Sequence, residues 1–139
     1  MQPVVVIDTN ILIAALIVRT SPPAQLYEAW KKRRFLLVTS EAQLREFARA
    51  TRYPHVRRFI KPAEAGRLVN QIRALATMLK RLPSVTASPD PADDFLLAMV
   101  EASHADYLVT GDKSGVLTLQ RYGKTRIVTA RQAVALLNG

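Results

Sequence analysis

The sequence predicts an α/β fold, with three α/β/α layers around a central parallel sheet of about five strands. Three observations carry this. Short, uniformly apolar runs, as expected of strands buried on both faces, alternate with segments whose apolar residues recur every three to four positions. No internal repeat, low-complexity tract or linker interrupts them, so residues 1–139 read as a single domain. A content of 49% hydrophobic and 22% charged residues is enough to bury a core in a chain of this length and argues against disorder.

Val4–Ile7 is a continuous β-branched run and supplies the first strand. Asn10–Val18 follows as a short helix, with Asp8 or Asn10 near its start. Pro22-Pro23 opens a second helix through Leu26 and Trp30, and Lys31–Arg34 places cations at its end, where the helix dipole is negative. Phe35–Val38 is the second strand. Thr39 or Ser40 then caps a helix whose Leu44, Phe47, Ala48 and Thr51 fall at i, i+3, i+4 and i+7. Pro62 begins a long helix with Leu68, Ile72, Leu75 and Leu79 as its core stripe. Val85–Ala87 is the third strand, Asp90-Pro91 starts a helix through Leu96, Leu97 and Val100, and Tyr107–Val109 and Arg126–Val128 complete the sheet. Ala130–Leu137 is the closing helix.

The absence of cysteine removes disulfides, zinc fingers, iron–sulfur sites and thiol nucleophiles, and two histidines, His55 and His104, leave little room for a histidine metal site or a catalytic triad. The apolar runs Val4–Ile7 and Ile11–Val18 are split by Asp8-Thr9-Asn10, and the start Met1-Gln2-Pro3 is uncharged. Both features argue against a signal peptide or a membrane span and lead to the expectation of a cytoplasmic protein. Twenty Lys and Arg against eleven Asp and Glu leave a formal charge of +9, which favours polyanionic partners over neutral ones.

In a basic chain the scarce acids are informative. Asp8 directly follows the first strand, Asp112 follows the fourth in Thr110-Gly111-Asp112, and Asp93-Asp94 follows the third; Glu46 lies in the first turns of the helix after the second. Open parallel sheets bind ligands at the carboxyl ends of their strands, so these acids converge on one edge. Clustered carboxylates repel unless a cation sits between them, and an all-oxygen set suits Mg²⁺ or Mn²⁺. In a basic protein this suggests metal-assisted attack on a phosphodiester. Each acid also has a structural reading: Asp8 as a helix cap, Asp93 as the third-position acid of a helix capped by Asp90, Asp112 in a turn, and Glu46 as a solvated helix residue. Helical spacing aligns Asp93 with Leu96, Leu97 and Val100, making it the inner acid, with Asp94 as an outer or alternate metal ligand.

Val-Ile-Asp8-Thr9-Asn10, Ser40 through Glu46, Asp90 through Ala98, and Ala105 through Asp112-Lys113 together resemble PIN domains, in particular the VapC-like ribonuclease toxins of toxin–antitoxin pairs, over nearly the whole chain. The resemblance implies a Mg²⁺- or Mn²⁺-dependent endoribonuclease with an acidic quartet at Asp8, Glu46, Asp93 and Asp112, supported by the polar residues Asn10 and Thr110. It also implies an antitoxin partner and a homodimer. The expected chemistry is in-line attack by a metal-activated water, with Asp8, Asp93 and Asp112 holding metal and Glu46 orienting the water or binding a second ion.

Around Glu46, the cations Arg45, Arg49, Arg52, Arg57, Arg58 and Lys61 are interleaved with Tyr53, His55 and Phe59, a mixture suited to single-stranded RNA. A solvated helix face or an antitoxin-binding surface are the competing readings. Lys113, beside Asp112, is a candidate for contacting a substrate phosphate, with an exposed turn lysine as the competing reading. Two other functions stay open: a non-catalytic module that binds RNA or a partner protein, and a haloacid-dehalogenase-like phosphatase. The second needs an acid two residues after Asp8, where Asn10 stands.

Overall fold

Val4–Ile7 becomes β1, an inner strand of a mostly parallel sheet flanked by helices on both faces. This computed structural model describes residues 2–111 and 115–137. The elements run β1, α1 (Thr9–Ile17), α2 (Pro22–Lys31), β2 (Leu36–Ser40), α3 (Glu41–Ala50), α4 (Pro54–Arg57), α5 (Pro62–Leu75) and β3 (Thr77–Leu79), then α6 (Asp94–Ser103), β4 (Tyr107–Val109), β5 (Arg121–Tyr122), β6 (Thr125–Val128) and α7 (Ala130–Leu137). The described residues form six strands in the order β3-β2-β1-β4-β6-β5, parallel except for β5 against β6.

The strands alternate between two buried faces. Val5, Ile7, Leu37 and Val109 join the core under α1, α2, α3, α5 and α7, whereas Val6, Val38 and Leu108 join the core under α6. With both faces covered, Val5, Val6, Ile7, Leu37, Val38, Leu108 and Val109 are all buried, which is why the centres of these strands are apolar.

Helix ends follow local chemistry. Ser21 Oγ and Ser40 Oγ accept from the N–H groups of Ala24 and Gln43 and so cap α2 and α3. At the other end of α2, Arg33 adopts φ 60°, its N–H donates to Trp30 C=O, and Arg34 N–H donates back to Ala29 C=O. This left-handed stop ends the helix at Lys31, ahead of the remaining cations.

Three expectations need correction. The third strand is Thr77–Leu79, which pairs with Val38–Ser40; Val85–Ala87 forms no strand. The long helix consequently stops at Leu75, which is 63% exposed, and Leu79 belongs to the sheet instead of the helical stripe. A three-residue edge strand is too short to show a period of two, so its apolar residues passed for one more helical turn. Finally, the sheet gains a sixth strand through the β5–β6 hairpin, where Gly123 at φ 60° supplies the left-handed backbone its two-residue turn needs. The helix expected from Pro91 begins as a 3₁₀ turn, Pro91–Asp93, capped by Asp90 Oδ1 accepting from Ala92 N–H at 3.0 Å.

Candidate active site

Parallel strands bring their carboxyl ends to one edge, and α1 and α3 start there because they directly follow β1 and β2. α6 also starts there, since it packs on β1 and β2 and must deliver the chain to the beginning of β4. Three helix N-termini and the residues just after three strands therefore share this edge.

Asp8 is 93% removed from solvent. Its N–H donates to Val109 C=O (2.8 Å), its Oδ1 accepts from Asn10 N–H (3.3 Å), and its Oδ2 accepts from Thr110 Oγ1 (2.8 Å). The helix-cap reading and the site reading of this acid thus coexist. Asn10 contributes its backbone N–H to that cap, and its side chain is exposed; Thr110 is wholly buried.

Glu46 is half-buried on α3. Burial pushes its carboxyl pKa up, and the negative charge of Asp8 pushes it further in the same direction; Arg49 and an interaction with Thr9 pull it back. These influences place Glu46 beside Asp8 and Thr9. Thr9 Oγ1 is itself buried and makes no well-formed hydrogen bond among the described residues.

Gln43, absent from the residues singled out by sequence, organises this corner. Fully buried, it donates through Nε2 to Ile7 C=O (2.5 Å) and accepts at Oε1 from Thr39 Oγ1 (2.7 Å). One side chain thereby ties α3 to the ends of β1 and β2 and sets where Glu46, one helical turn later, can stand. Its only signal is that spacing, because a glutamine in a helix normally reads as solvated.

Asp93 is half-buried at the junction of the 3₁₀ turn and α6. Asp94 Oδ1 accepts from the N–H groups of Ala87 (3.2 Å) and Ser88 (2.8 Å), pinning the segment before the turn. Asp112 and Lys113 lie outside the described residues.

Carboxylate and hydroxyl oxygens with no histidine or cysteine among them are hard donors that suit Mg²⁺ or Mn²⁺. The repulsion between Asp8 and Glu46 fits a cation at this edge, and the buried Thr9 oxygen beside Glu46 is a further hard donor there. Among the described residues, no three His, Cys, Asp or Glu side chains are placed to hold one ion, so the donor chemistry fits while these residues alone do not complete a ligand set.

The basic residues flanking Glu46 take two positions. Arg49 is exposed on α3 close enough to Glu46 to lower its pKa. Arg52, Arg57, Arg58 and Lys61 are exposed around α4, beyond the end of α3, and Arg52 and Arg57 share a cavity with Phe47 and Ala48 of α3. There Tyr53 and His55 stack with ring centroids 5.9 Å apart, and the Arg58 guanidinium lies 5.9 Å from the centre of the 60%-exposed Phe59 ring. His104 is exposed and ends α6 in a left-handed conformation.

No described helix is long and apolar enough to cross a membrane. A search of curated proteins finds no match. A family model described as the PIN domain matches residues 4–114, a span that runs from β1 to just past the carboxyl end of β4 and includes every acid discussed above. On that match over most of its length, the chain belongs to the PIN domain family, whose members are typically nucleases.

Proposed function

We propose that the chain is an endoribonuclease dependent on Mg²⁺ or Mn²⁺, with Asp8, Glu46, Asp93 and Asp112 as its acidic quartet. The observation that carries this is the pairing of a buried Asp8, at the end of an inner strand, with a Glu46 whose pKa its charge helps to raise. Two carboxylates kept close at this cost to the ionised form of Glu46 are poised for a cation. PIN nucleases generally use divalent metals. When bound, such an ion polarises a phosphodiester and lowers the pKa of water.

The chain's own contributions follow from the geometry. Thr110 holds one oxygen of Asp8 and the helix cap holds the other, so the carboxylate presents a fixed orientation. Asp93 is the inner acid of this proposal on its spacing from Leu96, Leu97 and Val100, and Asp94, whose Oδ1 accepts from the Ala87 and Ser88 amides, is the outer or alternate ligand. The raised pKa of Glu46 suits it to accept or donate a proton nearer neutral pH than an ordinary glutamate. Arg49, Arg52, Arg57, Arg58, Lys61 and Lys113 form the cationic surroundings for the RNA backbone, with Tyr53, His55 and Phe59 offering faces to bases.

The resemblance to toxin subunits extends the proposal to a cognate antitoxin, a homodimer and a cytoplasmic location. Asp8 as a helix cap favours the second reading, a non-catalytic RNA- or partner-binding module. Cleavage of defined RNAs with Mg²⁺, Mn²⁺ or EDTA, beside Asp8→Asn and Asp93→Asn, separates the two. A nuclease cleaves only with metal and loses cleavage in both variants. Metal-independent cleavage or full activity in either variant overturns the metal-dependent quartet, and no cleavage under any condition turns the assignment to the binding module.

A further inference from the structure

We infer that the groove beside the acids, between α3 and the end of β3, is a subsite for the nucleotide that flanks the cut RNA bond. The inference rests on the nuclease reading and adds a location for substrate. The groove has a volume of about 600 Å³, within the range of small-molecule sites, and Ser40, Arg45, Arg73, Met78, Leu79 and Lys80 are among its lining residues.

Its position comes from strand register. Ser40 pairs with Leu79, and Val6 pairs with Val38; continuing that register sets Ser40 level with Asp8 on the next strand. At about 4.8 Å per strand, Ser40 is one spacing from Asp8 and Leu79 two, or roughly 10 Å. A chain cut at Asp8 must run into the sites on either side of it, and this groove is one of them.

Its chemistry fits a nucleotide. Arg45 and Lys80 are exposed and form no ion pair among the described residues, whereas Met78 and Leu79 offer half-buried apolar surface. Phosphate calls for the first pair, and a base face for the second. An acidic peptide would use the cations but not the apolar floor or the alignment with Asp8.

The groove also carries its own anion. Arg73 donates to both carboxylate oxygens of Glu41, and this bond holds the Glu41 pKa below its ordinary value. A fork of two N–H groups matched to a carboxylate matches a phosphate equally well. Glu41 therefore competes with RNA for Arg73 when the groove is empty.

The test is anisotropy of a labelled single-stranded RNA of about ten nucleotides in EDTA, where binding is read without cleavage. Arg45→Ala/Lys80→Ala weakens binding about tenfold and lowers the slope of log affinity against log salt by about 1.4, at roughly 0.7 per phosphate contact. Lys32→Ala/Lys124→Ala removes the same charge beside the opposite ends of β2 and β6 and changes binding much less. Glu41→Gln tightens binding, and Glu28→Gln, an equal charge change on α2, does not. All these residues are exposed, so the variants fold, as thermal melts will verify.

Equal losses in the two double variants reduce the effect to net charge and overturn the subsite. Unchanged affinity in Arg45→Ala/Lys80→Ala also overturns it, as does retained RNA affinity with loss of binding to a polyglutamate peptide, which assigns the groove to an acidic protein. Failure of Asp8-dependent cleavage overturns the nuclease and leaves this binding assay standing on its own.

Discussion

At Asp8 a single carboxylate starts α1 through Oδ1 and is gripped by Thr110 through Oδ2. Replacing that hydroxyl with a methyl keeps the shape and removes a bond to a buried charged group, so Thr110→Val costs about 1.5–3 kcal/mol, readable from urea unfolding at neutral pH. Glu46 has the opposite sign. Its folded pKa is raised, so its contribution to stability is greatest below the unfolded pKa and is lost as pH rises through the folded one. Glu46→Gln therefore raises Tm at pH 7 to 8, and the gain vanishes on acidification to pH values at which Glu46 is protonated in both states. Solvent screening at this half-buried site keeps the rise small. The place of Asp8 was legible in the sequence because it directly follows the apolar run that becomes β1, whereas the strand expected just before Asp93 does not form. Gln43 was not legible, because its burial depends on two carbonyl and hydroxyl partners that only the folded β1 and β2 supply.

Among elements, β1, β2 and β4 were readable from their apolar runs, whose side chains are buried on both faces of the sheet. The two edges of the sheet were not. β3 pairs on one side only and lasts three residues; β5 lasts two and is defined by the turn at Gly123 more than by its side chains. The segment taken for a strand at Val85–Ala87 is instead held by Asp94, whose carboxylate gathers the Ala87 and Ser88 amides ahead of α6. Asp94→Ala releases both amides. Their hydrogen exchange accelerates by tenfold or more, corresponding to about 1.4 kcal/mol or more of local stability, while protection in β1 and β4 is retained. Equal acceleration in all three regions would instead make Asp94 a keystone of the global fold.

For the whole molecule, charge is divided by location. The net +9 coexists with the neighbouring acids Asp8 and Glu46 at the carboxyl edge, so on the proposed nuclease reading RNA approaching that edge without divalent ions meets local repulsion within an attractive field. Asp8→Asn accordingly binds RNA about three- to tenfold tighter than the unaltered chain in EDTA, and Mg²⁺ narrows the gap, as filter binding will measure. The position of β1 has a further consequence, one of timing. Its partner β2 lies about thirty residues on in the chain, but Asp8 can meet Val109 and Thr110 only when about a hundred more residues have emerged. A nascent or prematurely ended chain thus holds Asp8 without its partners, and the carboxyl edge stays incomplete until β4 has been made.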